Sequence, residues 1–182
     1  MTTLMRTQAA LLVIDVQNGV VATAYQRSER VLAIGTAVER ARLAGVPVIW
    51  VQHSDPWLAI DSDEWQIVSE LVPLNEEPRV LKLYRSSFEA TDLEEILLGL
   101  DVGHIFVAGA ESNNCVRHTA HAALERGYDV TLLSDAHTSS SFDWDDGPID
   151  AGVIINELNA NFHAYELPGR SASAHPVAEL TW

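Results

Sequence analysis

The chain has 182 residues, of which 47% are hydrophobic and 20% charged, and its formal net charge is −15 at pH 7. That composition excludes a disordered or fibrous protein and suits one domain, spanning 1–182, that buries roughly 70% of the surface its unfolded chain exposes. The excess of acid disfavours nucleic acids and anionic membranes as partners, because both are bound by neutralising their negative charge.

Ala9 to Ile14 is an unbroken apolar run that stops at Asp15, the signature of a strand buried on both faces. Ser28 to Ala44 carries Val31, Leu32, Ile34, Val38, Ala41 and Leu43 at helical spacing, with Gly45 placed to end the helix and Pro47 just beyond. Val46 to Val51 reads as a second strand. Residues 54–78, with Trp57, Trp65, Pro56, Pro73 and Pro78, read as a long excursion with one helical turn near Glu64 to Leu71. Excursions of this length inside a domain commonly serve as lids or binding loops. Val80 to Tyr84 is a short strand. Thr91 and Glu94 have the spacing of a capping box for a helix that Gly99 would end. His104 to Ala108 is a third main strand, Cys115 to Arg126 a helix with Gly127 at its C′ position, and Asp129 to Leu133 a fourth strand. Ser139 to Pro148 reads as a polar loop, Ile149 to Asn159 as a last helix and Ala160 to Glu166 as strand-like, while 168–182 shows no clear period. Alternation of this kind predicts an α/β domain with a mostly parallel sheet and helices on both faces, whose ligands bind at the carboxyl ends of the strands.

The stretch from Val107 to Val116 passes from strand to polar turn to helix, and the only cysteine, Cys115, falls where the helix should begin. Unpaired N–H groups and the helix dipole there would favour the thiolate. Asp15, Lys82 and Cys115 all lie at or near strand ends, and together they make a workable acyl-transfer set. The carboxylate can move a proton, the ammonium can hold the carboxylate and stabilise a thiolate, the thiol can attack a carbonyl, and the turn can supply N–H groups to an oxyanion. Each residue alone has a plainer reading: a turn residue, a solvated edge lysine, a buried structural cysteine. One cysteine precludes an internal disulfide and fits a reducing compartment. With no secretory pattern in Met1 to Arg6 and no apolar run near ~20 residues, a cytoplasmic location is expected.

Three segments, in this order, resemble the isochorismatase-like cysteine hydrolase family, which includes nicotinamidases and N-carbamoylsarcosine amidases. They are Ala10 to Asn18, Lys82 to Phe88 followed by Thr91 to Leu93, and Val107 to Gly109 followed by Cys115, Val116, Thr119, Ala120, Gly127 and Asp135. The resemblance covers roughly 9–140. It implies a three-layer Rossmann-like sheet, an Asp15, Lys82 and Cys115 triad, and a cis peptide between Ala110 and Glu111. It further implies an oxyanion hole from the Glu111 and Cys115 N–H groups, and a homo-oligomer acting on a small-molecule substrate. Glu111 departs from the family pattern, which usually places an apolar residue there. The family's nicotinamidases carry a metal site after the second strand, but here Gln52 to Trp57 holds only His53 and Asp55, so no metal and no cofactor are expected.

Retention of Cys115 points to C–N hydrolysis of a small amide, ureido or carbamoyl compound through a thioester. Vinyl-ether hydrolysis of the isochorismatase type, and a non-catalytic protein retaining the fold, stay open beside it. Gln17, His53, Trp57, Tyr84 and Asn114 are candidates for substrate contact. His118 and His121 read as polar helix positions rather than a metal pair. His137 with Ser139 to Ser141 reads as polar loop, because no nucleophile-elbow motif accompanies it.

Overall fold

Strand β1 (Gln8–Ile14) can run through the middle of the molecule because its apolar side chains are covered on both sides. The computed structural model describes residues 6–182. Ala10, Leu12 and Ile14 point into one core, and Leu11 and Val13 point into the other. This is the period-two alternation of a strand between two helical layers. The parallel neighbours of β1 are β2 (Val48–His53) on one side and β4 (Val102–Ala110) on the other. Outward from these lie β3 (Arg79–Lys82), β5 (Asp129–Thr138), β9 (Arg170–His175) and β8 (Glu166–Leu167). The seven-stranded sheet has the order β3-β2-β1-β4-β5-β9-β8, and only β8 is antiparallel.

Helix α2 (Arg27–Leu43) covers one face through Val31, Ile34, Ala37, Val38 and Ala41. Helices α3 (Leu93–Gly99), α4 (Arg117–Glu125) and α5 (Ala151–Ala164) cover the other through Leu93, Leu97, Ala120, Ala123, Leu158 and Phe162. Gly45 and Gly127 follow the ends of α2 and α4 at φ 71° and 91°, the left-handed C′ conformation read from the sequence. A four-residue helix, α1 (Asn18–Val21), follows β1.

Several elements differ from the sequence reading. The segment from Glu64 to Leu71 forms turns and a bridge between Ile67 and Gln17 instead of a helical turn. Thr91 forms no capping box. Asp92 occupies the N-cap position without a side-chain bond, and Glu94 is engaged by the Tyr128 hydroxyl at 3.0 Å. The 139–148 loop contains a small hairpin of β6 (Phe142–Trp144) and β7 (Gly147–Ile149). Helix α5 is capped by Asp150, which accepts from Val153 N–H, and it continues through Ala164 where strand was expected. The tail without a period supplies β9, and Arg40 anchors the residues beyond that strand by donating to the Val177 and Leu180 carbonyls. Trp182 packs its ring on Phe106 with centroids 4.6 Å apart.

The strand order reverses between β1 and β4: the chain leaves β1 toward β2 and β3, then returns to lay β4 on the opposite side. There Gly109, at φ 124°, lies so close to β1 that a Cβ would overlap the Ile14 backbone. Gly109→Ala is therefore expected to destabilise the protein by more than about 3 kcal/mol, combining a forbidden φ with a backbone clash. Urea unfolding of the variant beside Gly45→Ala, where φ is positive but the space is open, separates the two costs.

Candidate active site

Sheets of this kind leave a crevice at the carboxyl ends of the strands where their order reverses. Asp15 stands at that point, one residue beyond β1. Its left-handed backbone, φ 50°, ends the strand, and its N–H donates to the Val51 carbonyl at 2.9 Å. The side chain is 1% exposed. Lys82 is the last residue of β3, opposite His53 of β2. Alternation along β3 buries Val80 and Lys82 while Leu81 and the following Leu83 face out. The strand thus turns its lysine inward and its leucines outward, which is tolerable only if the ammonium finds a partner. It finds two. Lys82 Nζ lies 2.6 Å from Asp15 Oδ2 and donates to Cys115 Sγ at 3.2 Å. The contact with Asp15 is held by charge rather than by hydrogen-bond alignment, and neither Asp15 oxygen has an aligned donor among the described residues.

Cys115 sits in a wide helical turn, Ser112–Val116, ahead of α4. The Ala110–Glu111 peptide that leads into the turn is cis. Glu111 C=O accepts from both Asn114 N–H and Val116 N–H, and Asn114 at φ −117°, ψ −106° kinks the turn. The thiol is therefore displaced from the first regular turn of α4, where the sequence reading placed it.

The electrostatics also differ from a dipole-activated thiolate. Burial pushes the Cys115 thiol up to about 12, and the Asp15 carboxylate adds to the rise while Lys82 opposes it. Burial likewise raises the Asp15 carboxyl, and the Lys82 charge only partly offsets this. Burial thus disfavours a negative charge on either group, and the one adjacent ammonium can balance only one of them. Moving a proton from Sγ to the carboxylate would create a thiolate without changing the charge of the site.

Asp15 and Cys115 open into a cavity of about 250 Å³ that His53, Asp55, Arg85, Glu111 and Asn114 also line. Arg85, three residues after Lys82, is a cavity residue that the sequence reading does not single out, and Asp55, weighed there only as a metal ligand, is another. Asn114 Nδ2 donates to Glu111 Oε2 at 2.9 Å. His53 Nε2 is 3.5 Å from Asp55 Oδ2, and no group of three His, Cys, Asp or Glu side chains suited to a metal occurs among the described residues. Three other candidates do not line the cavity. Gln17 is fully buried and ties the excursion to β2, donating to the His53 and Trp65 carbonyls and accepting from His53 N–H. Trp57 is 91% exposed and Tyr84 55% exposed. A second cavity of about 290 Å³, between His104, Phe106 and Thr131, lies toward the opposite strand ends and includes none of Asp15, Lys82 and Cys115.

His118 Nδ1 pairs with the Asn114 carbonyl, whereas His121 packs against Phe162 and Tyr165, so the two do not converge. His137, read as loop, is instead fully buried at the end of β5. Its Nε2 faces Asn159 Oδ1 at 2.9 Å and its Nδ1 faces Ser112 Oγ at 2.8 Å. Asn159 Oδ1 can only accept, so Nε2 carries the proton and Nδ1 accepts from the serine. This chain of bonds fastens the cysteine turn to β5 and α5.

A family model described as the isochorismatase domain matches residues 9–152. An uncharacterized isochorismatase family protein of Bacillus subtilis, YrdC, is 30% identical over 87% of this chain and 89% of its own. Streptothricin hydrolase of Streptomyces noursei is 35% identical over 71% of this chain, which spans about half of that protein (54%). The crystal structure of an isochorismatase from Pseudomonas putida superposes with a TM-score of 0.86 at 26% identity, covering 100% of this chain and 94% of the other.

Burial lowers the His137 imidazole to about 4. The unfolded chain takes up that proton near pH 6.5, so the stability from neutral His137 is complete above pH 6.5 and drains away as pH falls toward 4. Between pH 7 and pH 4 the parent should lose about 3 kcal/mol more than His137→Gln. Equal losses in urea unfolding at the two pH values would show that His137 does not titrate as a buried neutral group.

Proposed function

The chain belongs to the isochorismatase family of hydrolases, and from that premise we propose that it is a cysteine-dependent amidohydrolase that cleaves a C–N bond of a small amide, ureido or carbamoyl compound. The observation that carries this reading is Lys82 Nζ placed between Asp15 and Cys115 where both open into the cavity. Such an array can make a thiolate by internal proton transfer, which a C–N hydrolase needs and a vinyl-ether hydrolase does not.

In the proposed reaction the Cys115 proton passes to Asp15 as Sγ attacks the substrate carbonyl carbon. The carbonyl π pair moves onto oxygen, which the Glu111 and Cys115 N–H groups would receive. Asp15 then returns the proton to the leaving nitrogen as the C–N bond breaks, releasing ammonia or an amine and leaving a thioester. Water attacks the thioester carbonyl and gives its proton to Asp15. The C–S bond breaks, the acid departs, and the proton returns to sulfur. Lys82 stays charged throughout and balances whichever of Asp15 or Cys115 is anionic, so no step has to create a second buried charge. A small-molecule substrate is proposed accordingly, with no organic cofactor in any step.

Ammonia release from a panel of small amides, ureido acids and carbamoyl compounds tests the reading. Cys115→Ala should lower turnover at least about 1,000-fold, since it removes the atom that forms the covalent bond. Acid-quenched parent enzyme should carry the acyl group on Cys115 by mass spectrometry. Ammonia release that survives Cys115→Ala would overturn the cysteine-dependent reading, and vinyl-ether cleavage that survives it would favour isochorismatase-type chemistry in the same cavity.

A further inference from the structure

The formal charges around the cavity sum to one negative, with Asp15, Asp55 and Glu111 set against Lys82 and Arg85. Lys82 is matched by Asp15. Asp55 is committed to local structure: Oδ1 accepts from the Trp57 and Leu58 N–H groups at 2.7 and 2.8 Å, and Oδ2 faces His53 Nε2. Glu111 is different. It lines the cavity beside Cys115 and is half-buried, it has no basic side chain within ion-pair distance among the described residues, and its one side-chain hydrogen bond uses Oε2. That bond comes from the neutral amide of Asn114, so it orients the carboxylate without neutralising it. Arg85 lines the same cavity, is exposed, and forms no ion pair with Glu111.

We propose that Glu111 is a specificity-determining residue whose carboxylate selects substrates with a cationic nitrogen near the scissile carbonyl. The proposal rests on the amidohydrolase reading for the word substrate, but the recognition itself is a matter of binding. An oriented carboxylate beside a partly desolvated cavity attracts a positive group more strongly than one in open water. Glu111 and Cys115 line the same cavity, so the carboxylate borders the space in which an acyl group must dock. A substrate carboxylate would meet Glu111 as a like charge, and the net charge of −15 adds to that repulsion.

Three amides matched in length provide the probes: β-alaninamide with an ammonium, butyramide without charge, and succinamate with a carboxylate. Their dissociation constants are measured by NMR titration of the full chain carrying Cys115→Ser, where hydrolysis does not interfere, with and without Glu111→Gln. The Glu111→Gln change keeps a side-chain oxygen for Asn114 and removes only the charge. The expected result is β-alaninamide binding about tenfold more tightly than butyramide and succinamate binding most weakly, with Glu111→Gln erasing the preference for the cation. Equal binding of the cationic and neutral amides, tighter binding of succinamate, or a cation preference that survives Glu111→Gln would overturn the proposal. Turnover of the same amides by the parent is read separately. A cation preference without turnover would sink the amidohydrolase reading and leave the charge recognition standing.

Discussion

A buried lysine ammonium between a buried carboxylate and a thiol is the interaction on which this architecture depends. Lys82 and Asp15 are each about 1% exposed. Removing either partner would strand the other charge out of water, a change that typically costs about 3–5 kcal/mol. The arrangement therefore constrains β1 and β3 to keep their register across β2. It also explains an otherwise backward strand, in which Leu81 and Leu83 face outward so that Lys82 can face in. Burial raises both acids and the ammonium between them opposes the rise, so negative charge in the site is tolerable only beside Lys82.

The rest of the fold serves to bring a third element, the cysteine turn, to that pair. Gly109 lets β4 press against the end of β1, which sets the start of the turn beside Asp15. Two Glu111 carbonyl bonds hold the turn's width, and His137 fastens Ser112 to Asn159 on α5. Gln17 closes the other side by tying the excursion to the His53 backbone. A thiol presented in this way is poised by neighbours from β1 and β3 more than by the dipole of the helix that comes after it.

Much of this is legible in the sequence because it is written in periodicity and order. Unbroken apolar runs at β1, β2, β4 and β5 suit buried parallel strands, and glycines at 45 and 127 mark helix ends. The positions of Asp15, Lys82 and Cys115 near strand ends, in family-like segments, group the three without any geometry. The features that cannot be read have physical causes. Strand β9 is built from Arg170-Ser171-Ala172-Ser173-Ala174-His175, four small residues between two basic ones without an apolar signal, and it forms because β5 offers an edge. Helix α5 outruns its expected end because Phe162 is recruited into the core. His137 looks like loop because its value lies in a network contributed by two distant elements. Trp57 and Tyr84 suggest a pocket wall by type alone, yet both face outward. Arg85 and Glu111 can be placed in the cavity only once the turn has a shape.

That burial disfavours charge on Asp15 and Cys115 while Lys82 opposes it is tested most directly by the pH dependence of Cys115 alkylation by iodoacetamide in the parent, Asp15→Asn and Lys82→Ala proteins. The parent rate should keep climbing well above the ordinary thiol range near ~8.5. The inflection should move down when the Asp15 charge is removed and up when the ammonium is removed. A thiol that titrates near its ordinary value in all three proteins would contradict that coupling.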